Sequence, residues 1–143
     1  MSLEELYQEV ILEHWEHPLN KGALGEGACS VHLRNPLCGD EVKLYLVLKE
    51  DTVEDVAFEG HGCSISQAAA SMMTQLVKGR KRNEVEQVIE KYRKLLKGEL
   101  DEKGKSELGD ISVLETVKRF PSRIRCALLS FEALEQLMIE RKE

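Results

Sequence analysis

No apolar run in this chain approaches the length of a membrane span, and its acidic start, Met1-Ser2-Leu3-Glu4-Glu5-Leu6, lacks the basic and apolar regions of a signal peptide. A reducing, cytoplasmic location without membrane attachment is the expectation. Excess positive charge is also missing. The formal net charge is −6, which argues against nonspecific nucleic-acid binding even though Lys78-Gly79-Arg80-Lys81-Arg82 is locally basic. That run reads as a solvated helix junction. There is no internal repeat and no low-complexity segment. Cysteines number only four, at Cys29, Cys38, Cys63 and Cys126. A chain of 143 residues, read as one domain over 1–143, buries enough surface to need no disulfide staples. The thiols are therefore metal-binding, reactive or simply buried, and their wide spacing does not choose among these.

What is present has clear periodicity. Leu3, Leu6, Tyr7, Val10, Ile11, His14 and Trp15 form the stripe of an amphipathic helix that Pro18 ends. His14 and His17, near its end, read as dipole-facing or solvent histidines. A Gly-rich stretch, Gly22 to Gly27, leads to three short strands: Cys29 to Arg34, a clear alternation through Val42, Leu44, Leu46 and Leu48, and Val53 to Glu59. Lys49-Glu50-Asp51-Thr52 reads as a hairpin turn between the last two, giving an antiparallel meander with one covered face. Helical period then takes over. Ile65, Ala68, Ala69, Met72, Leu76 and Val77 form one stripe, with Ser64 and Gln67 matching a capping box. Asn83 and Glu86 resemble a second cap, before Val85, Val88, Ile89, Tyr92, Leu95 and Leu96. Gly98 to Gly109 reads as a mobile connector, Asp110 as the cap of a short helix, and Ile124 to Met138 as the buried stripe of a last helix beyond Pro121.

Cys38 lies between a Pro-containing turn and the strongest strand, with Gly39 free to bend and Asp40 able to reach the same point. A thiolate and a carboxylate two residues apart repel unless a cation lies between them, although a turn cysteine beside a backbone-capping aspartate fits the segment equally well. Cys63, between Gly62 and a helix start, has the positive dipole end to favour ionisation. Cys126, near the start of the last helix with Arg123 and Arg125 beside it, shares that advantage or is plain core. His61 reads as an exposed loop histidine rather than a ligand, and Cys29 as a strand-buried thiol outside the site. Together Cys38, Asp40, Cys63 and Cys126 offer three sulfurs and one oxygen, enough for a tetrahedral zinc site or most of the ligands of an iron-sulfur cluster. No spacing rule proves that they converge.

Three segments in fixed order, Asn35-Pro36-Leu37-Cys38-Gly39-Asp40, Gly60-His61-Gly62-Cys63-Ser64-Ile65-Ser66 with the small-residue helix after it, and Arg123-Ile124-Arg125-Cys126-Ala127, closely resemble the IscU/SufU family. The resemblance implies an α+β fold, a small three-stranded antiparallel sheet with helices packed against it. It implies a role in iron-sulfur cluster assembly, as scaffold or sulfur acceptor rather than as a conventional enzyme. Cys38, Asp40, Cys63 and Cys126 match the positions that bind Zn2+ or a transient [2Fe-2S] cluster, and a cysteine desulfurase is the expected sulfur donor, with apo-proteins or carriers as recipients. Cys38 is expected to accept the sulfur, with Cys126 its rival. Arg125 stands where the IscU branch carries histidine, and Phe120-Pro121-Ser122 replaces its chaperone-binding motif. Those departures, with the charged segment around Lys97 to Gly109, make the chain more similar to the SufU branch. A structural zinc-binding interaction module without sulfur transfer is the alternative outside the family.

Overall fold

The computed structural model describes residues 3–36 and 39–140, with side chains from Gln8 to Ile139. Helix α1 (Leu3–Glu16) precedes strands β1 (Cys29–Arg34), β2 (Glu41–Lys49) and β3 (Thr52–His61), which form an antiparallel sheet in that order. Helices α2 (Ser64–Val77), α3 (Arg82–Lys97) and α4 (Glu102–Leu108), a 3-10 helix (Gly109–Arg119) and α5 (Pro121–Glu140) follow. The α+β meander expected from the sequence is the observed architecture.

One sheet face carries the core. Val42, Leu44 and Leu46 of β2 and Val56 and Phe58 of β3 are buried, and Val31 and Leu33 of β1 pack against them. Each such aliphatic or aromatic side chain contributes about 1.5–3 kcal/mol when fully buried. The β2–β3 hairpin turns on Glu50 and Asp51, both left-handed at φ 52° and 64°. That is the two-residue geometry that matches strand twist. Helix α2 runs through the middle of the molecule because its residues are small: Ala68, Ala69, Ala70 and Ser71 let it approach α1, α5 and β3.

Several local expectations differ from the structure. His14 is buried rather than solvent-facing, its Nδ1 2.8 Å from Ser71 Oγ, which also accepts the Leu19 N–H. Trp15, placed in the buried stripe by period alone, is 46% exposed. The N-cap of α2 is Cys63, not Ser64, and no side chain of the helix caps it. Helix α3 begins two residues earlier than its Asn83 cap implied, with Glu84 accepting the Lys81 N–H. Gly98 to Gly109 is no loose connector. Asp101 Oδ1 accepts the Gly104 N–H to start α4, Leu108 is buried, and Lys105 pairs with Glu115 of the 3-10 helix. Local polarity hid these tertiary partners. The basic run does form the exposed α2–α3 junction, and its charges have partners there: Lys78 pairs with Asp55, Arg82 with Asp51, and Arg80 Nε donates to the Leu76 carbonyl.

Candidate metal centre

Three distant stretches of chain deliver side chains to one point. The turn after β1 is closed by backbone bonds, Gly39 N–H to Asn35 O at 2.9 Å and Asn35 N–H to Asp40 O at 2.8 Å. Gly39 takes φ +75°, which fits its role as the flexible residue of the turn. Asp40 follows and is 1% exposed. Its Oδ1 accepts the Cys63 N–H at 2.8 Å, and the Cys63 thiol donates to Oδ2 at 3.4 Å. A carboxylate from the turn before β2 thus serves the N-cap of α2, the satisfaction that Ser64 and Gln67 were expected to supply.

Gly62 makes that approach possible. Its φ is +142°, and a Cβ built there would lie 2.1 Å from Asp40 Oδ1 and 2.9 Å from Asp40 Cα. Only glycine fits between β3 and the carboxylate. From the other side comes Cys126, 3% exposed, whose thiol reaches towards the Ser122 carbonyl at 3.6 Å. It is the sixth residue of a helix that begins at Pro121, beyond the four unpaired N–H groups, so the helix end acts on it less directly than expected.

The donor atoms of Asp40, Cys63 and Cys126 all lie within 4.8 Å of one another. Among the described residues no other set of three or more His, Cys, Asp or Glu side chains is so compact. Cys38 lies outside the described residues, two positions before Asp40. Cys29 is excluded: its thiol donates to the Leu46 carbonyl at 3.3 Å within the sheet. His61, at the end of β3, is 75% exposed and faces Glu41 at 3.0 Å, on the other side of the sheet. Arg123 lines an open groove of about 680 Å3 beside the site, with Ile65, Leu12, Lys118 and the exposed Phe120.

The donor chemistry fits a borderline metal. Two sulfurs and a carboxylate, with Asp40 and Cys126 buried and Cys63 partly so, are the ligand types of zinc and of iron-sulfur clusters. A buried carboxylate beside two thiols is costly without a cation to offset it. Polar atoms continue behind the ligands. Gln67 stands one helical turn beyond Cys63, and Ser130 one turn beyond Cys126. Gln67 Oε1 and Ser130 Oγ are buried with no hydrogen-bond partner among the described residues. Ser130 carries no signal in the sequence, and Gln67 is marked there only as half of the expected capping box.

Comparison with known proteins places this geometry in a family. Residues 6–127 match the NifU-like N-terminal domain, and the chain belongs to that family. The zinc-dependent sulfurtransferase SufU of Bacillus subtilis (strain 168) is 44% identical over 136 residues, covering 94% of this chain and 90% of that protein. The iron-sulfur cluster assembly scaffold protein IscU of Streptococcus pyogenes serotype M1 is 37% identical over 135 residues, covering 94% and 84%. A crystal structure of a nitrogen-fixing NifU-like protein (N-terminal) from Brucella abortus superposes with a TM-score of 0.84 at 27% identity, covering 99% of each chain.

Proposed function

We propose that this protein works in iron-sulfur cluster assembly, accepting persulfide sulfur from a cysteine desulfurase at a site made by Cys38, Asp40, Cys63 and Cys126. The convergence of Asp40, Cys63 and Cys126 from the β1–β2 turn, the start of α2 and the first turns of α5 carries the reading. Likeness to a zinc-dependent sulfurtransferase over nearly the whole length supports zinc as the ion held there. Bound zinc would keep the thiols ionised at neutral pH.

The chain's own contribution is positional. Asp40 fixes the backbone of Cys63 through Oδ1 and presents Oδ2 to the sulfur. Burial of Cys126 and Asp40 excludes water from the inner side. Cys38, between Pro36 and Gly39 in the sequence, is the acceptor in this account. Its thiolate attacks the terminal sulfur of the donor's cysteine persulfide, a new S–S bond forms on Cys38, and the donor's own sulfur leaves as a thiolate. A [2Fe-2S] cluster on the same ligands is the second reading, favoured by the likeness to IscU scaffolds.

Zinc content and melting test the site. Protein purified without chelator should carry one zinc per chain, and chelation should lower its melting temperature because the ligands tie distant parts of the chain together. Absence of zinc together with an unchanged melting temperature would contradict the zinc reading. A stable, stoichiometric chromophore from anaerobic iron and sulfide would favour the scaffold.

A further inference from the structure

On the outer face of the sheet, opposite the core, two imidazoles converge on one carboxylate. His32 Nε2 of β1 lies 2.8 Å from Glu41 Oε1, and His61 Nε2 of β3 lies 3.0 Å from Glu41 Oε2. Strand register dictates the meeting. Glu41 pairs directly with Arg34 on one side and His61 on the other, and His32, two residues before Arg34, points to the same face. The histidines are 50% and 75% exposed, whereas Glu41 is only 18% exposed beneath them.

A cross-strand ion pair needs one cation opposite one carboxylate. Arg34, 3.5 Å from Glu41 Oε2, already supplies it, so two histidines are present beyond what sheet pairing requires. Imidazole and carboxylate are, however, the ligand types that hold zinc and similar divalent ions where no thiolate is present. We propose that His32, Glu41 and His61 form a second, sulfur-free site for a divalent transition-metal ion, weaker than the thiolate centre and on the opposite side of the same strand ends. Glu41 follows Asp40 directly, and His61 precedes Cys63 by two residues.

Each imidazole now faces its own carboxylate oxygen, so the donors are more open than a filled ligand sphere. Closure needs both rings to swing inwards, because His32 stands opposite Lys43 and His61 opposite Glu41, and the three donors are not yet within 4.8 Å of one another. Strands flanking β2 stand about 10 Å apart, a span that two imidazoles can bridge to one ion. Both rings are at least half exposed and so have room to turn once they let go of Glu41, and moving the proton from Nε2 to Nδ1 frees the nitrogen that faces it. Sulfur ligands at the inner centre and their absence here set the order of filling, the thiolate site first. The proposal is independent of sulfur transfer.

Cobalt(II) titration of the full chain, stripped of metal under reducing, anaerobic conditions, separates the two sites. Cobalt on thiolates gives an intense sulfur-to-metal charge-transfer band, and cobalt on imidazole and carboxylate adds only weak d–d absorption. Wild type should take up two ions per chain, the second without a gain in the charge-transfer band. The His32→Ala/His61→Ala double variant should take up one, with the charge-transfer band intact. Glu41→Gln should also lose the second ion, and circular dichroism would verify the fold of each variant. Saturation of wild type at one ion, or a second ion retained by the folded double variant, would overturn the proposal.

Discussion

Asp40 and Cys63 are bound to each other twice, once through the backbone N–H at 2.8 Å and once through the thiol at 3.4 Å, although 22 residues separate them in sequence. The double contact gives one carboxylate two duties, satisfying the start of α2 and offering a donor atom to the candidate metal centre.

The two duties separate under mutation. Asp40→Ala should destabilise even the metal-free protein, by about 1–3 kcal/mol, because it strands the Cys63 N–H. Asp40→Asn retains an acceptor and should recover much of that loss, while zinc binding stays weak in both. Denaturant melts with and without chelator give each quantity. Equal stability of metal-free Asp40→Ala and wild type would show that the backbone bond contributes nothing.

A reconstituted cluster should outlive wild type in Asp40→Ala. A hard, exchangeable carboxylate is the poorest partner for a soft iron-sulfur core and aids its departure. The decay of visible absorbance after reconstitution measures this, and a faster decay in the variant would make Asp40 a retaining ligand instead.

Gly62→Ala should disrupt the site without touching a ligand. The added methyl meets Asp40 at both its carboxylate and its Cα, so rotating the side chain cannot relieve the contact. Lower zinc content and a lower melting temperature are expected together. A variant with wild-type zinc content would show that the Asp40–Cys63 approach is looser than described.

Acid sensitivity has a traceable contributor away from the site. Arg93 makes two hydrogen bonds to Glu135, at 2.7 and 2.8 Å, and chiefly through them holds the Glu135 carboxyl below its ordinary 4.5. A lowered carboxyl pKa adds stability that is complete above the unfolded value and disappears as pH falls through the folded one. Both side chains are more than a third exposed, so the effect should stay below about 1 kcal/mol. The stability difference between wild type and Glu135→Gln should therefore be present near neutral pH and shrink below pH 4.5. A difference that is constant with pH would assign it to packing rather than charge.

Sequence pattern alone reached the strands and most of the helical stripes, which are written in periods of two or 3.6 residues, and the polar Lys49-Glu50-Asp51-Thr52 between two strands marked the hairpin turn. The candidate ligands were read differently. Spacing left Cys38, Asp40, Cys63 and Cys126 as unconnected candidates, and only the three motifs in order suggested that they meet. Contacts between distant residues stayed hidden, since nothing local announces that Ser71 will anchor His14 or that Asp40 will take the capping role from Ser64. The helix α4 was missed for the same reason: its polar sequence is held by Asp101 at its start and by Lys105 reaching Glu115. His32 and Glu41 carried no motif at all, and strand register alone brings them together with His61.

Trapping the persulfide tests the central claim most directly. After brief reaction of the zinc-loaded protein with a cysteine desulfurase and isotopically labelled cysteine, alkylation and mass spectrometry locate the transferred sulfur. The account predicts label on Cys38, lost in Cys38→Ser and retained in Cys126→Ser. Label that persists in Cys38→Ser but vanishes in Cys126→Ser, or no label on any cysteine of the wild-type chain, would contradict it.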